Sequence, residues 1–425
     1  MHVPRGRTAA LAATRVARRL LPDGVDATAW ILLASRGLRG FTDGFIAVLL
    51  PAYLLALGLT QLHVGLLGTA TLLGSAIATV AVGALAGRIA HRRLLTLAAV
   101  LMTATGIGFA SLSGWWPLLV VAFVGTLNPS AGDVSLFLPL EQARLAAAAG
   151  GDARTALFAR YSLVGAVSAA LGALAAGVPT WLAAHAGFAP LAAMRAMFVL
   201  YALAGIAVCA LYRKLPRTAQ RTPAPAAPAA PLGPSRRIVM RLALLFSVDA
   251  FAGGLVVNSL LALWLMQRFG LSVGAAGRFF FWAGLLSAGS QLAAAPLSRR
   301  IGLLNTMVFT HIPSSVCLIG AAVATSLPAA LSLLLVRSAL SQMDVPTRTA
   351  YVMAVVTPPE RAAAASVTSV PRSLAAALAP TLAGGLFGLG WLGAPLVACG
   401  VLKIAYDLTL LAAFRHVRPD ADSRS

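Results

Sequence analysis

Five of the chain's twelve acidic residues, Asp43, Asp133, Asp249, Asp344 and Asp407, fall inside long apolar runs, accompanied by Arg36, Arg39, Arg160, Arg348, Arg372 and Lys403. A carboxylate in such a setting can hold or release a proton: desolvation favours the neutral acid, while an entering cation or a neighbouring arginine favours the anion, so proton and cargo compete. An ionised side chain at the centre of a bilayer costs about 2.5–3.5 kcal/mol on insertion scales, so unpaired examples are rare. These residues are therefore the first candidates for function.

Spacing suggests partners. Arg39 and Asp43, Asp344 and Arg348, and Lys403 and Asp407 are each four apart, on one face of a helix. Counting from the span ends also brings Asp133 level with Arg160, and Asp344 level with Arg372, which predicts an Asp–Arg pair across neighbouring helices in each half. Such pairs can set helix position or act as gates, and the sequence leaves both open. Lys403 and Asp407 read as a structural pair. Asp43 and Asp249, near the middle of the first span of each half, are candidate proton-coupling groups, with Arg39 and Asn258 as further candidates. Glu141 lies eight residues beyond Asp133 in the proline-interrupted stretch NPSAGDVSLFLPLEQAR, a candidate gating element together with SQMDVPTRTAYVMAVV around Pro346. Asn258, Gln291 and His311 are further polar groups within spans, and a lone His reads first as a packing residue.

The elements that position these residues follow from composition. The 425 residues are 59% hydrophobic and 11% charged, against about a quarter charged in soluble domains, so the chain is a polytopic membrane protein. A net charge of +21 does not point to nucleic acid, because the basic residues sit between apolar runs and not on a soluble face. Cys209, Cys317 and Cys399 lie within apolar runs with no CxxC or Cys/His pairing, so neither a disulfide framework nor a metal site is expected, and no cofactor. The first 28 residues have arginines but no apolar core before a cleavage site, and do not read as a signal peptide.

Crossing about 30 Å of hydrocarbon at about 1.5 Å per residue takes roughly 20 residues. That ruler gives twelve spans, near 30–57, 62–86, 93–112, 116–141, 154–178 and 192–212, then 239–266, 275–297, 303–325, 328–355, 361–386 and 393–414. The resulting organisation is a tail over 1–29, a six-helix bundle over 30–212, a basic Pro/Ala-rich linker over 213–237, a second bundle over 238–414 and a tail over 415–425. Arginines fall after spans 2, 4, 6, 8 and 10, as Arg88, Arg92 and Arg93, then Arg144 and Arg154, the linker, Arg299 and Arg300, and Arg361, with Arg268 as the exception. The positive-inside rule then puts both termini and the linker in the cytoplasm, with Trp115, Trp116, Trp181 and Trp391 at the outer interface.

The halves repeat. Asp43-Gly-Phe45 answers Asp249-Ala-Phe251; Leu54-Leu-Ala-Leu57 answers Leu260-Leu-Ala-Leu263 at the same offset; Asp133-Val134 answers Asp344-Val345; Arg160 answers Arg372; Arg88-Ile89 answers Arg300-Ile301. A duplicated six-helix unit is the simplest account, and internal repeats are a common plan for secondary transporters.

Within that frame GALAGRIAHRR, Gly83 to Arg93, is similar to the G-x-L-a-D-r-x-G-r-r signature of the major facilitator superfamily, with Gly83, Leu85, Arg88, Arg92 and Arg93 in place. Gly87 stands where that signature has aspartate, and Ala90 where it has its second glycine. APLSRRIG, Ala295 to Gly302, keeps Leu297, Arg300 and Gly302 of the second copy, and APTLAGG, Ala379 to Gly385, resembles the family's proline–glycine hinge. The resemblance covers essentially the whole chain. It implies an all-α membrane protein whose two pseudo-symmetric six-helix bundles rock about a central cavity, with Asp43 and Asp249 facing that cavity.

The function expected from the residues and the resemblance is secondary active transport of a small molecule by alternating access, coupled to protons and directed outward. Uptake of a nutrient or organic anion bound by cavity arginines is the alternative. A non-transporting receptor or scaffold lacks a signalling domain, and no HExxH, GxSxG or paired-acid loop motif supports an enzyme. Arginine and alanine usage points to a GC-rich bacterial genome and hence to the inner membrane. The expected partners are a small-molecule substrate, protons and the lipid bilayer, with no nucleic acid, and the chain is expected to be a monomer.

Overall fold

The computed structural model describes residues 25, 29–85, 88–130, 136–149, 151–216 and 232–415. Among them are sixteen α-helices: α1 (Ala29–Ala56), α2 (Gln61–Leu85), α3 (His91–Ser111), α4 (Trp115–Val124), α5 (Leu138–Ala148), α6 (Gly151–Ala175), α7 (Val178–Ala186), α8 (Pro190–Arg213), α9 (Arg236–Gly254), α10 (Asn258–Phe269), α11 (Val273–Ile301), α12 (Leu303–Val323), α13 (Leu327–Leu340), α14 (Asp344–Val355), α15 (Arg361–Gly388) and α16 (Ala394–Phe414). They make twelve membrane-crossing segments. The fourth is α4 with α5, the seventh α9 with α10 and the tenth α13 with α14.

Eight segments are long and apolar enough to cross a membrane by length and composition alone. The others are long but carry more polar side chains, as α11 and α15 do, or are broken. α9 and α10 part at Leu255–Val257, immediately after Gly253-Gly254, a pair with little intrinsic helix preference. One segment differs from the sequence reading: the connection between the spans read at 154–178 and 192–212 carries α7, which has a proline in its first turn and ends at Gly187 with φ +68°.

The two halves pack alike. α1 packs on α6 and α8 as α9 packs on α15 and α16; α3 packs on α8 as α12 packs on α16; α2 packs on α4 as α11 packs on α13. Between halves, α2 meets α15 as α11 meets α6, which completes a pseudo-two-fold arrangement.

Small residues make these approaches close, because association in lipid rests on packing and not on hydrophobic expulsion. A Cβ on Gly44 would strike the Ala169 carbonyl, and one on Gly172 the Phe41 carbonyl, so α1 and α6 touch backbone to backbone. Gly65 and Gly384 do the same for α2 and α15.

These contacts between halves fall away from the termini. Gly65 lies against Gly384, Thr381 donates its hydroxyl to Thr69 at 2.8 Å, and Gly177 lies against Gly274. A single apolar core joins both halves there, including Phe45, Leu67, Trp264, Phe279 and Phe387. Toward the termini the C-terminal bundle keeps a core of its own, built from Val239, Phe246, Met307, Tyr351, Tyr406 and Phe414. Among the described residues, the close backbone contacts between the bundles thus gather at the end away from the termini.

Candidate functional site

In the N-terminal bundle the buried charges gather around Glu141, in the first turn of α5. Its carboxylate forms a salt bridge with Arg39 of α1 and accepts hydroxyls from Tyr161 of α6 at 2.5 Å and Tyr212 of α8 at 2.6 Å. Arg39 also stacks on Phe137, 4.2 Å from its centroid, and Arg36 lies over the Tyr161 ring at 5.3 Å. Gly165 makes room for Arg36, since a Cβ there would meet its guanidinium. The spacing argument paired Arg39 with Asp43; the salt bridge of Arg39 goes instead to Glu141, 102 residues away. A residue on a neighbouring helix can offer a shorter approach than one a turn along the same helix.

Asp43 is buried on α1, with the Asn128 side chain as hydrogen-bond partner and Arg39 and Arg36 as the nearest cations. Among the described residues it makes no salt bridge. Asp133 lies outside the described residues, and so does the expected pair with Arg160, whose place is on α6.

In the C-terminal bundle the hub is Asp249 of α9. It takes Lys403 Nζ of α16 at 2.6 Å on Oδ1 and Arg348 Nη2 of α14 at 2.9 Å on Oδ2. Arg348 also bridges to Asp344, one turn earlier on α14, and stacks 5.3 Å from the Phe246 centroid. His311 of α12 stands between Asp407 and Lys403, with Nδ1 3.2 Å and 3.0 Å from the two oxygens of Asp407 and Nε2 3.2 Å from Lys403 Nζ.

Two expected pairings are therefore corrected. Lys403 and Asp407 do not bond each other, because each meets His311, and Lys403 is held by Asp249. Asp344 bonds Arg348 and not Arg372, which stands nearby as an exposed cation whose closest charges are Arg348, Asp249 and Asp344. The sequence reading treated His311 as a packing residue. Its signal was only that of a buried polar side chain, since its partners come from helices more than 60 residues distant.

The two clusters are related by an exchange of partners. In the N-terminal half an arginine on the first span, Arg39, stacks on a phenylalanine of the fourth, Phe137; in the C-terminal half Phe246 of the first span receives Arg348 of the fourth. The same cation–π contact is kept with donor and acceptor exchanged.

Asn258 is the first residue of α10, beside the helix break. The neighbouring Ser259 amide donates to the Pro129 carbonyl at 3.1 Å. The irregular stretches of the fourth and seventh segments thus satisfy one another across the two halves. Of the loop-motif residues, Gly83 lies in the last turn of α2 with open space where a Cβ would stand, and Gly302 joins α11 to α12 at φ +86°, where a side chain would be strained. Arg88, Arg92, Arg93 and Arg300 make no salt bridge among the described residues. No group of three or more His, Cys, Asp or Glu among the described residues is placed to hold a metal.

The fold and its paired halves agree with known proteins. A family model described as Major Facilitator Superfamily matches residues 32–343. An uncharacterised membrane protein of Saccharomyces cerevisiae is 25% identical over 420 residues, covering 91% of this chain and 94% of its own. Among solved structures, a bacterial homologue of the human lysosomal transporter Spinster, inward-facing and occupied, has a TM-score of 0.70 at 18% identity over 91% of this chain and 96% of that one. The nucleoside transporter NupG gives 0.72 at 14% identity, over 92% and 99%. The xylose transporter XylE from E. coli, inward-open, gives 0.69 at 14% identity, over 92% and 96%. With that family match over most of its length and twelve segments in two like bundles, the chain belongs to the major facilitator superfamily of membrane transporters.

Proposed function

We propose that this transporter exports a small molecule in exchange for protons, with Asp43 as the group that carries the proton. The observation behind this reading is the contrast between equivalent acids. Asp249 is held by Lys403 and Arg348, whereas Asp43 is buried with Arg39 committed to Glu141 and makes no salt bridge among the described residues. A buried carboxylate so placed can be discharged by a proton and recharged by a cationic cargo, the competition that coupling needs.

The close contacts between the bundles at the end away from the termini support alternating access, with cargo entering between the bundles from the side of the termini. That side is the cytoplasm of a bacterial inner membrane in this reading, with the chain working as a monomer. A second reading, proton-driven or facilitative uptake of an organic anion, is favoured by Arg372, an exposed cation at the margin of a buried charge network.

Everted membrane vesicles separate the two. Compounds identified in a growth screen accumulate inside everted vesicles on imposing an inside-acid gradient if the protein exports, and Asp43→Asn inserts normally but loses that accumulation. Accumulation that survives Asp43→Asn refutes the role of this carboxylate, and accumulation only in right-side-out vesicles reverses the direction.

A further inference from the structure

We propose that His311 is a second proton-binding site, and that a proton on its Nε2 exchanges the partner of Asp249 from Lys403 to His311. The inference deepens the proton-coupling reading above but concerns a residue which that reading does not use.

His311 is 4% exposed, and both ring nitrogens are engaged. Nδ1 straddles the Asp407 carboxylate at 3.2 Å and 3.0 Å, while Nε2 lies 3.2 Å from Lys403 Nζ and 3.8 Å from Asp249 Oδ1. An ammonium donates and cannot accept, and an ionised carboxylate accepts and cannot donate. Both contacts attract only if the imidazole is neutral, with its proton on Nδ1 facing Asp407 and its Nε2 lone pair facing Lys403. The tautomer is thereby fixed by its neighbours.

Adding a proton at Nε2 turns the contact with Lys403 into one cation facing another. The acceptor for the new N–H is Asp249 Oδ1, which Lys403 already occupies at 2.6 Å. Lys403 leaves, and the imidazolium takes its place, with Arg348 still on Oδ2. No covalent bond other than the new N–H is made, and the proton comes from water between the bundles. Lys403 is the member with room to move, at 13% side-chain exposure against 5% for His311 and 4% for Asp249.

The surroundings are consistent with a switch. His311 meets Asp249 from α9 and Lys403, Tyr406 and Asp407 from α16; around Asp249 stand Arg348 and Asp344 from α14 and Arg372 from α15, and Arg337 of α13 receives Ser314 Oγ, a turn from His311, on its carbonyl at 3.4 Å. Asp249, Asp344 and Asp407 stand against Arg348, Lys403 and Arg372, with Arg337 as a farther cation, while the imidazole is neutral. One added proton raises the positive charge of the cluster by one.

The test uses the full-length protein with ¹⁵N-labelled histidine in phosphatidylcholine–phosphatidylglycerol vesicles, the His311 signal being assigned by its loss in His311→Gln. The expected spectrum at alkaline pH is that of the Nδ1–H neutral tautomer, passing to a doubly protonated ring as the pH falls. Lys403→Gln removes the opposing ammonium and leaves Asp249 short of a cation, so His311 takes its proton at a pH higher by about one unit or more. An Nε2–H tautomer in the wild type, or an unmoved midpoint in Lys403→Gln, overturns the proposal. Asp43→Asn leaves both readouts unchanged, so failure here is distinguishable from failure of the carboxylate assigned in α1. Should His311→Gln not fold, assignment through His311→Asn, checked by size-exclusion profile, keeps the measurement decisive.

Discussion

Glu141 carries three bonds that no other acid in its bundle replaces. Glu141→Gln removes the salt-bridge partner of the buried Arg39 guanidinium, and removing one partner of a buried pair costs about 3–5 kcal/mol. Thermal unfolding in detergent should show that loss, with Arg39→Met added to Glu141→Leu recovering much of it, since two apolar side chains leave no charge unpaired. Glu360 works outside the spans, in the short turn before α15. Its carboxylate accepts from Ser235, from the Gly233 amide and from the Thr357 hydroxyl, and these bonds hold its pKa down from 4.5 to about 2. The stability it gives is fully present above the ordinary carboxylate range and is lost as pH falls through about 2. Unfolding followed against pH should therefore show an acid-side decline that Glu360→Gln lacks. At this scale the sequence revealed which residues were costly to bury but not whom they would meet. Arg39, Lys403 and Asp407 each had a neighbour four positions away, and each found a partner on another helix instead, because side-chain reach between packed helices is as short as one helical turn.

Element boundaries were more legible, since a bilayer imposes a length that apolar runs must match. Nine of the twelve spans read from the sequence overlap a single described helix closely; the seventh and tenth each cover two, α9 with α10 and α13 with α14, and the fourth, read over 116–141, takes in α4 and only the start of α5. The interruption at Leu255–Val257 was not visible, because Gly253-Gly254 alone does not separate a break from a packing face. α7 was missed because nine residues are too few to register against a membrane-length ruler. The glycine contacts give two predictions of different kinds. Gly44→Ala pushes a methyl group into the Ala169 carbonyl within one bundle, so folded yield after detergent extraction should fall sharply. Gly384→Leu acts between bundles, where α2 and α15 meet, so the protein should still fold while cysteine-reactivity probes find the joined end open. Equal accessibility of that end in wild type and variant would contradict the assignment of this contact as a closure.

For the molecule as a whole, the repeat was readable as matched residues, and the structure expresses it as matched packing. Its exchange of arginine and phenylalanine between halves was not readable, because each residue aligns with an unlike one. The shared core at one end and the separate C-terminal core at the other describe two bodies with a common seam. Cysteines placed at Gly177 and Gly274 lie close enough to be bridged, and oxidation of that pair should stop transport reversibly, with reductant restoring it. Persistent transport in the bridged protein would mean that the bundles do not part at this seam.

The tie from the Ser259 amide to the Pro129 carbonyl has a consequence for how the molecule can change over generations. Neither atom belongs to a side chain, so almost any substitution at either position leaves the knot intact; an imino acid at 259 is the exception, having no hydrogen to give. A net strength of about 0.5–1.5 kcal/mol lets thermal motion undo it at every turnover. Cargo preference can therefore drift through the surrounding side chains while the fastening in the main chain is inherited unaltered.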